Sequence, residues 1–393
     1  MSAPIRMLAL TAMASLAVGA CDTRTGPDTT NPITADANVS AVKFWEAGAT
    51  VAWNALAVDL AAATAVDAGR LNLYLGLAQL RAAEAAEAAA GPHPPIGGAI
   101  GGASAAVLTT FFSGSAAQIE AALDAQAAAA SWPGAQHEDF AAGEAIGRAA
   151  AARVLAYAAT DGVGLTDPGT PPLGDGFWVW TGGPIVRGNL GARPLFLAAA
   201  DEFRPGPPPA FGSAQFTTAL AEVRQIADTR TAEQLAIATY WNVNQSGRSQ
   251  AAYMEIAREL IVTHRRSDPE AARIMFLMGA ASFDALIGCF EAKYHYWFIR
   301  PPQADPGIVT AFPTPPHPSY PSAHSCSSGA IASVLASVFP SEARRLAAVA
   351  EESSLSRLYA GIHYRFDMEA GLALGRAVAA KALAADLDGV AVR

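Results

Sequence analysis

From about Val39 to the C-terminus, apolar residues recur at intervals of three and four. Nothing alternates with the period of two, bounded by hairpin turns, that a sheet needs. Val42, Trp45, Ala49, Ala52, Trp53 and Leu56 mark one helix face, and Leu71, Tyr74, Leu75 and Leu80 continue in a second helical stretch. Alanine runs favour helix and let helices approach closely. With 393 residues, 52% of them hydrophobic, the chain can bury a sizeable core, and disorder is disfavoured. The pattern predicts an all-α protein, one large helical-bundle domain over residues 39–393. Pro94–Ile119 is uncharged and long enough to cross a bilayer. Its hydrophobicity is weak, and it contains Ser, Thr and Gln, so a buried bundle helix is expected. Two loops interrupt the helices, Thr160–Pro184 and Phe203–Ser213. The polyproline of the second cannot be helical. Loops of this length in a compact domain are often functional. Helices resume at Phe216 and near Ala232.

The formal charge is −9, from 26 Lys and Arg against 35 Asp and Glu, so no basic footprint for nucleic acid is present. Three cysteines rule out a disulfide scaffold. At the N-terminus, Arg6 precedes an apolar stretch, Met7 to Val18. Val18-Gly19-Ala20-Cys21 then resembles a bacterial lipoprotein lipobox, the alternative being an ordinary secretory signal with a chance cysteine. The expectation is a signal peptide over 1–20, a lipidated Cys21 and a flexible tether over 21–38. That implies an exported cell-envelope lipoprotein whose only membrane contact is the lipid. Cys289 and Cys326 remain, expected as two buried free thiols.

The chemistry-bearing residues concentrate in the C-terminal third. Ser267-Asp268-Pro269-Glu270 reads as a helix start, with Asp268 able to cap. The helix can run to Arg300, where Pro301-Pro302 stops it. Lys293 and Arg300 would then share one face, about 10 Å apart along the axis. Two cations there repel unless an anion sits between them. The alternative is a solvated face of snorkelling side chains, against which the bulk of Tyr294, Tyr296, Trp297 and Phe298 argues. Next, Pro321 breaks the chain and Ser322-Ala323-His324 opens a helix running to about Phe339. Free N–H groups at such a terminus make an anion site, although a capped helix with an incidental histidine has the same sequence. Finally, Arg357 supplies a planar donor fork, followed by His363 and Asp367. If that stretch is helical, Asp367 lies on the His363 side and can set its tautomer.

Together these read K-x6-RP (Lys293, Arg300-Pro301), PSxH (Pro321-Ser322-Ala323-His324) and SR-x5-H-x3-D (Ser356-Arg357, His363, Asp367). This resembles the three-part signature of the type 2 phosphatidic acid phosphatase and vanadium haloperoxidase superfamily. The signature spans residues 293–367, and RTAEQLAIATYWN and FRPGPPPAFGSAQF look like the vanadium-dependent haloperoxidase branch. Ala323 departs from the usual glycine; its contact is a backbone N–H, which alanine keeps unless a positive φ is required.

The resemblance implies a vanadate cofactor coordinated by His363. Lys293, Arg300 and Arg357 would neutralise its oxygens, and Ser322 and the Ala323 N–H would complete the cradle. His324 would be the acid–base group, and Lys293 would polarise the peroxide. Hydrogen peroxide and halide would be the substrates and hypohalous acid the product. His317, seven residues before His324, matches the algal bromoperoxidase pattern HPSYPS, where the fungal chloroperoxidase has phenylalanine. That implies bromide or iodide rather than chloride. This branch is often dimeric, so a homodimer is possible. The rival enzyme is an acid phosphatase of the same superfamily, holding phosphate in the cradle and using His363 as nucleophile. A lipid-tethered oxyanion-binding protein is the non-enzymatic rival, and it would need neither His324 nor Asp367.

Overall fold

A computed structural model describes residues 48–64, 66–89, 95–130, 140–242 and 248–385. The signal peptide, Cys21 and tether read from residues 1–38, with Val42 and Trp45, lie outside these residues. Among the described residues there are thirteen α-helices, two 3-10 turns and no strand, which is the all-α class expected. The helices are α1 (Ala49–Ala63), α2 (Ala68–Glu87), α3 (Ile96–Phe111), α4 (Ala116–Ala130), α5 (Phe140–Ala158), α6 (Ala214–Thr229), α7 (Ala232–Tyr240), α8 (Arg248–Thr263), α9 (Asp268–Tyr296), α10 (Pro301–Ala304), α11 (Ala323–Val338), α12 (Ala343–Tyr359) and α13 (Arg365–Ala384).

The long helix α9 is the axis of the molecule, packing against α2 on one side and against α11 and α13 on the other. It is apolar and long enough to cross a membrane, but 89% of that apolar window is buried inside the protein, which makes it a core helix. Outward from α2 lie α3 and α5; α12 packs on α11. The uncharged stretch after Pro94 is α3, mostly buried as expected, ending at Phe111 before a 3-10 turn leads into α4. Small residues set the spacing of these layers. A Cβ on Gly147 of α5 would lie 1.9 Å from the Ala99 carbonyl of α3, and one on Gly375 of α13 would lie 2.2 Å from the Cys326 carbonyl of α11. Cys289 and Cys326 are both buried free thiols, as expected.

Three helix boundaries differ from the sequence expectation. Asp268 does not cap its own helix: the Glu270 carboxylate takes the Ser267 N–H at 2.9 Å. The Asp268 carboxylate instead accepts the N–H groups of Gly48, Ala49 and Thr50 at 3.0, 3.1 and 2.9 Å, capping α1 from some 220 residues away. Helix α9 ends at Tyr296, not Arg300, because Trp297 turns left-handed at φ 51°. Residues 297–299 then pair with the irregular chain: Trp178 N–H donates to the Trp297 carbonyl at 2.6 Å and Ile299 N–H to the Gly176 carbonyl at 3.0 Å. Lastly, the two predicted loops are parts of one irregular run, residues 159–213.

That run is held by buried carboxylates. Asp284 of α9, fully buried, accepts from the N–H groups of Leu195, Phe196 and Leu197 at 2.9, 2.7 and 3.2 Å. Burial pushes its carboxyl up to about 6, against the pull of those N–H bonds. Asp161 takes the Arg70 Nε and the Tyr74 hydroxyl of α2 at 2.6 and 2.8 Å. Asp284→Ala would strand three backbone donors at once. We expect a loss of about 3 kcal/mol in urea unfolding, with amide exchange at residues 195–197 accelerated far more than in the middle of α9.

Candidate active site

The strap before α11, residues 317–322, gathers the charged residues. Arg300 follows an extended segment, as its neighbour Pro301 requires, with φ −84° and ψ 150°. It therefore does not share a helix face with Lys293. The two converge because the same strap grips both. Arg300 Nε donates to the His317 carbonyl at 3.0 Å, and Lys293 Nζ donates to the Pro318 and Ser319 carbonyls at 2.9 and 2.8 Å. Lys293 is thus anchored on carbonyls, and with Arg300, Ser322 and Asp367 it is completely buried.

Ser322 is the N-cap of α11, its hydroxyl facing the Ser325 N–H at 3.4 Å. Ala323 is the first helical residue and is not among the described residues with positive φ, so alanine keeps the N–H a glycine would offer. A close approach holds α13 against this terminus: a Cβ on Gly371 would lie 2.7 Å from the Ser322 carbonyl.

His363 and Asp367 are not on one helix. Helix α12 ends at Tyr359 and α13 starts at Arg365, so His363 sits in the turn between. Asp367 lies in the first turn of α13, where its carboxylate accepts the Tyr364 N–H at 3.2 Å. The expected pair nevertheless forms, with His363 Nδ1 2.7 Å from Asp367 Oδ2. The partners decide the tautomer. Arg300 Nη1 lies 2.9 Å from His363 Nε2, and a guanidinium can only donate. Nδ1 therefore carries the proton toward Asp367, and Nε2 presents its lone pair to the site. His317 Nδ1 faces two opposed partners, the Arg300 Nη2 donor at 3.0 Å and the Pro318 carbonyl acceptor at 3.1 Å. His324 Nε2 lies 2.8 Å from the Trp241 carbonyl, which must accept, so Nδ1 is the ring atom left for proton exchange.

Charge is the dominant feature of the site. Lys293, Arg300 and Arg357 are buried, yet none forms an ion pair with a carboxylate among the described residues. Arg357 donates to the Ser356 hydroxyl at 2.9 Å and the Ala238 carbonyl at 3.0 Å, and stacks 5.1 Å over Phe312. Burial pulls Lys293 down to about 8 and lowers both arginines. All three histidines are held well below their ordinary value, by burial first and by these cations next. Buried, uncompensated positive charge is costly, and an anion in the middle would offset it.

A cavity of about 590 Å³ opens onto this cluster. His317, Ala323, His324, Arg357 and His363 line it, together with Ala57 of α1, Asn72 of α2, Gln250 and Met254 of α8 and Val66 between α1 and α2. The structure thus brings all nine sequence-predicted residues to one place, five on the cavity surface and four behind it. Sequence inspection missed Ser319, whose hydroxyl donates to Asp367 at 2.6 Å, and the backbone carbonyls of Trp241 and Ala238. Ser319 lies inside the HPSYPS stretch, but carbonyl contacts leave no trace in residue identity.

The fold and the site define an all-α protein with a buried, positively charged pocket. Residues 272–386 match the model of the PAP2 superfamily. Among solved structures, a bacterial vanadium-dependent iodoperoxidase aligns with a TM-score of 0.68 and 24% identity, covering 92% of this chain and 97% of that one. A holo-type bacterial vanadium-dependent chloroperoxidase aligns with a TM-score of 0.60 and 15% identity, covering 80% and 89%. None of the curated protein sequences matches. The chain therefore has a region similar to the PAP2 superfamily within the fold of the vanadium haloperoxidases, in line with the resemblance of the three motifs.

A tetrahedral oxyanion, vanadate or phosphate, fits the donor set: three cations without a carboxylate partner among the described residues, a helix N-terminus and one imidazole lone pair. Two predictions follow from this geometry. Asp367→Asn replaces the carboxylate facing His363 Nδ1 with a neutral amide, and should weaken orthovanadate binding in equilibrium dialysis about 10- to 100-fold. His317 has a depressed folded pKa, so its contribution to stability is complete above about 6.5 and is lost as pH falls below that. His317→Phe cannot titrate, and its Tm should drop less than that of the parent between pH of about 7.5 and 5.5.

Proposed function

We propose that the protein is a vanadate-dependent haloperoxidase, oxidising bromide or iodide with hydrogen peroxide to hypohalous acid. The observation that carries this reading is the tautomer-fixed His363 among three unpaired buried cations. It is seated in a body that follows an iodoperoxidase architecture along nearly its whole length. When bound, vanadate would supply a Lewis-acid centre that activates peroxide toward halide.

The chain's own residues provide the rest. His363 Nε2 would hold the cofactor, with Asp367 keeping the proton on Nδ1. An incoming anion would draw Arg300 Nη1 off His363 Nε2 and onto its own oxygen. Arg357, which also lines the cavity, would take a second oxygen. Ser322 and the Ala323 N–H would donate from the start of α11, where the helix dipole adds positive potential. Lys293, gripped by two carbonyls, would act here through its charge. His324 Nδ1 would accept and return protons at the cavity surface, since its Nε2 is committed to Trp241. His317, which lines the cavity and is bonded to Arg300, is the residue to which we assign the preference for bromide or iodide. Export as a lipoprotein through Cys21, and assembly as a homodimer, complete the proposal.

A paired assay on one sample tests it. Loaded with vanadate, the protein should oxidise bromide and iodide in a peroxide-dependent way; stripped of vanadate, it should hydrolyse phosphate esters poorly. Hydrolysis without halide oxidation would replace this reading with the phosphatase. Chloride turnover matching bromide would refute the halide assignment. His324→Ala should lower halide oxidation by about 100-fold or more while orthovanadate affinity stays nearly constant, whereas a pure binding protein would show no turnover to lose.

A further inference from the structure

All three polar groups of Ser319 are engaged, each with a different element of the site. Its N–H donates to the Phe298 carbonyl at 2.9 Å, on the segment that carries Arg300. Its carbonyl accepts Lys293 Nζ at 2.8 Å. Its hydroxyl donates to Asp367 Oδ2 at 2.6 Å. That oxygen is the one facing His363 Nδ1. Ser319 is completely buried, so water does not offer these groups substitute partners. The other Asp367 oxygen, Oδ1, has no hydrogen-bond partner. The carboxylate is therefore oriented through Oδ2 alone, by three donors: Ser319 Oγ, His363 Nδ1 and the Tyr364 N–H. Two of these are fixed by the chain around α13, and Ser319 is the one that comes from the strap before α11. It couples the two halves of the cradle.

We propose that Ser319 is a positioning residue for the oxyanion site, acting through Asp367 to hold the His363 lone pair toward the bound anion. This rests on the site reading above, in which His363 and the three cations take an oxyanion. Without the hydroxyl, Asp367 can rotate to satisfy Oδ1 and Oδ2 differently, and the His363 ring keeps its tautomer through Arg300 but loses its fixed orientation. The backbone grip on Lys293 and on the Arg300 segment does not depend on the side chain, so the cations stay in place.

The test is a double-mutant cycle read by anion binding to the vanadate-stripped protein, with inorganic orthovanadate and inorganic phosphate as probes. Ser319→Ala should weaken orthovanadate binding about tenfold, as outer-sphere partners of a ligating histidine do. Asp367→Asn should weaken it at least as much, and the double variant no further than Asp367→Asn alone, because both act through one carboxylate. Ser319→Thr, which keeps the hydroxyl, should restore affinity to near that of the parent. Nitrogen NMR should show His363 protonated on Nδ1 in both proteins, with its Nδ1–H signal shifted and exchanging faster in Ser319→Ala. If the alanine variant does not fold, Ser319→Cys keeps the volume with a poor donor, and the same loss is expected. Unchanged affinity in Ser319→Ala or Ser319→Cys, or losses that multiply in the double variant, would overturn the proposal. A parent protein that binds neither anion would instead refute the site reading on which it rests.

Discussion

One carboxylate, Asp367, stands among three buried cations. Lys293, Arg300 and Arg357 cannot be withdrawn from water cheaply, and one negative charge does not balance them. The architecture spreads the cost over backbone carbonyls. His317, Pro318 and Ser319 each turn a carbonyl to a cation, as do Ile362 and Ala238. Carbonyl dipoles solvate a cation but leave its net charge. The result is a strongly positive pocket at the core of a protein with a net charge of −9.

Holding several carbonyls at fixed angles needs a rigid frame, and α9 supplies it. Its glycines and alanines let α2 approach, and α11 and α13 close on each other through Gly375 and Gly371. The irregular run 159–213 is rigid for a different reason. It has no helix of its own, so its backbone amides need acceptors from elsewhere. Asp284 of α9 meets three of them, and Asp161 within the run anchors to α2. Asp268 does the same for the start of α1. Three buried acids, Asp161, Asp268 and Asp284, are thus clamps on the fold.

The sequence was most legible where a local rule operates. Pro321 followed by Ser322 starts α11 as predicted, and Pro340 follows its end. It was least legible where a distant partner competes. Local pattern carries the helix on to Arg300, but Trp297 leaves it because residues 176–178 offer the next residues an extended pairing. Asp268 sits at a good capping position and is used by another helix. His363 and Asp367 were expected as helical neighbours and meet as turn and first-turn residues, with the same contact by another route.

What the sequence by itself determined is the helical class, through the three-four periodicity, and the identity of the charged residues, through the spacing of the three motifs. Both are properties of nearest neighbours along the chain. What only the tertiary structure decided is which atom of each residue faces the site. The tautomer of His363, the anchoring of Lys293 on carbonyls, the commitment of His324 Nε2 to Trp241 and the role of Ser319 all depend on partners far away in sequence. Most of those partners are backbone groups, which every residue carries alike, so no pattern of side chains could have announced them.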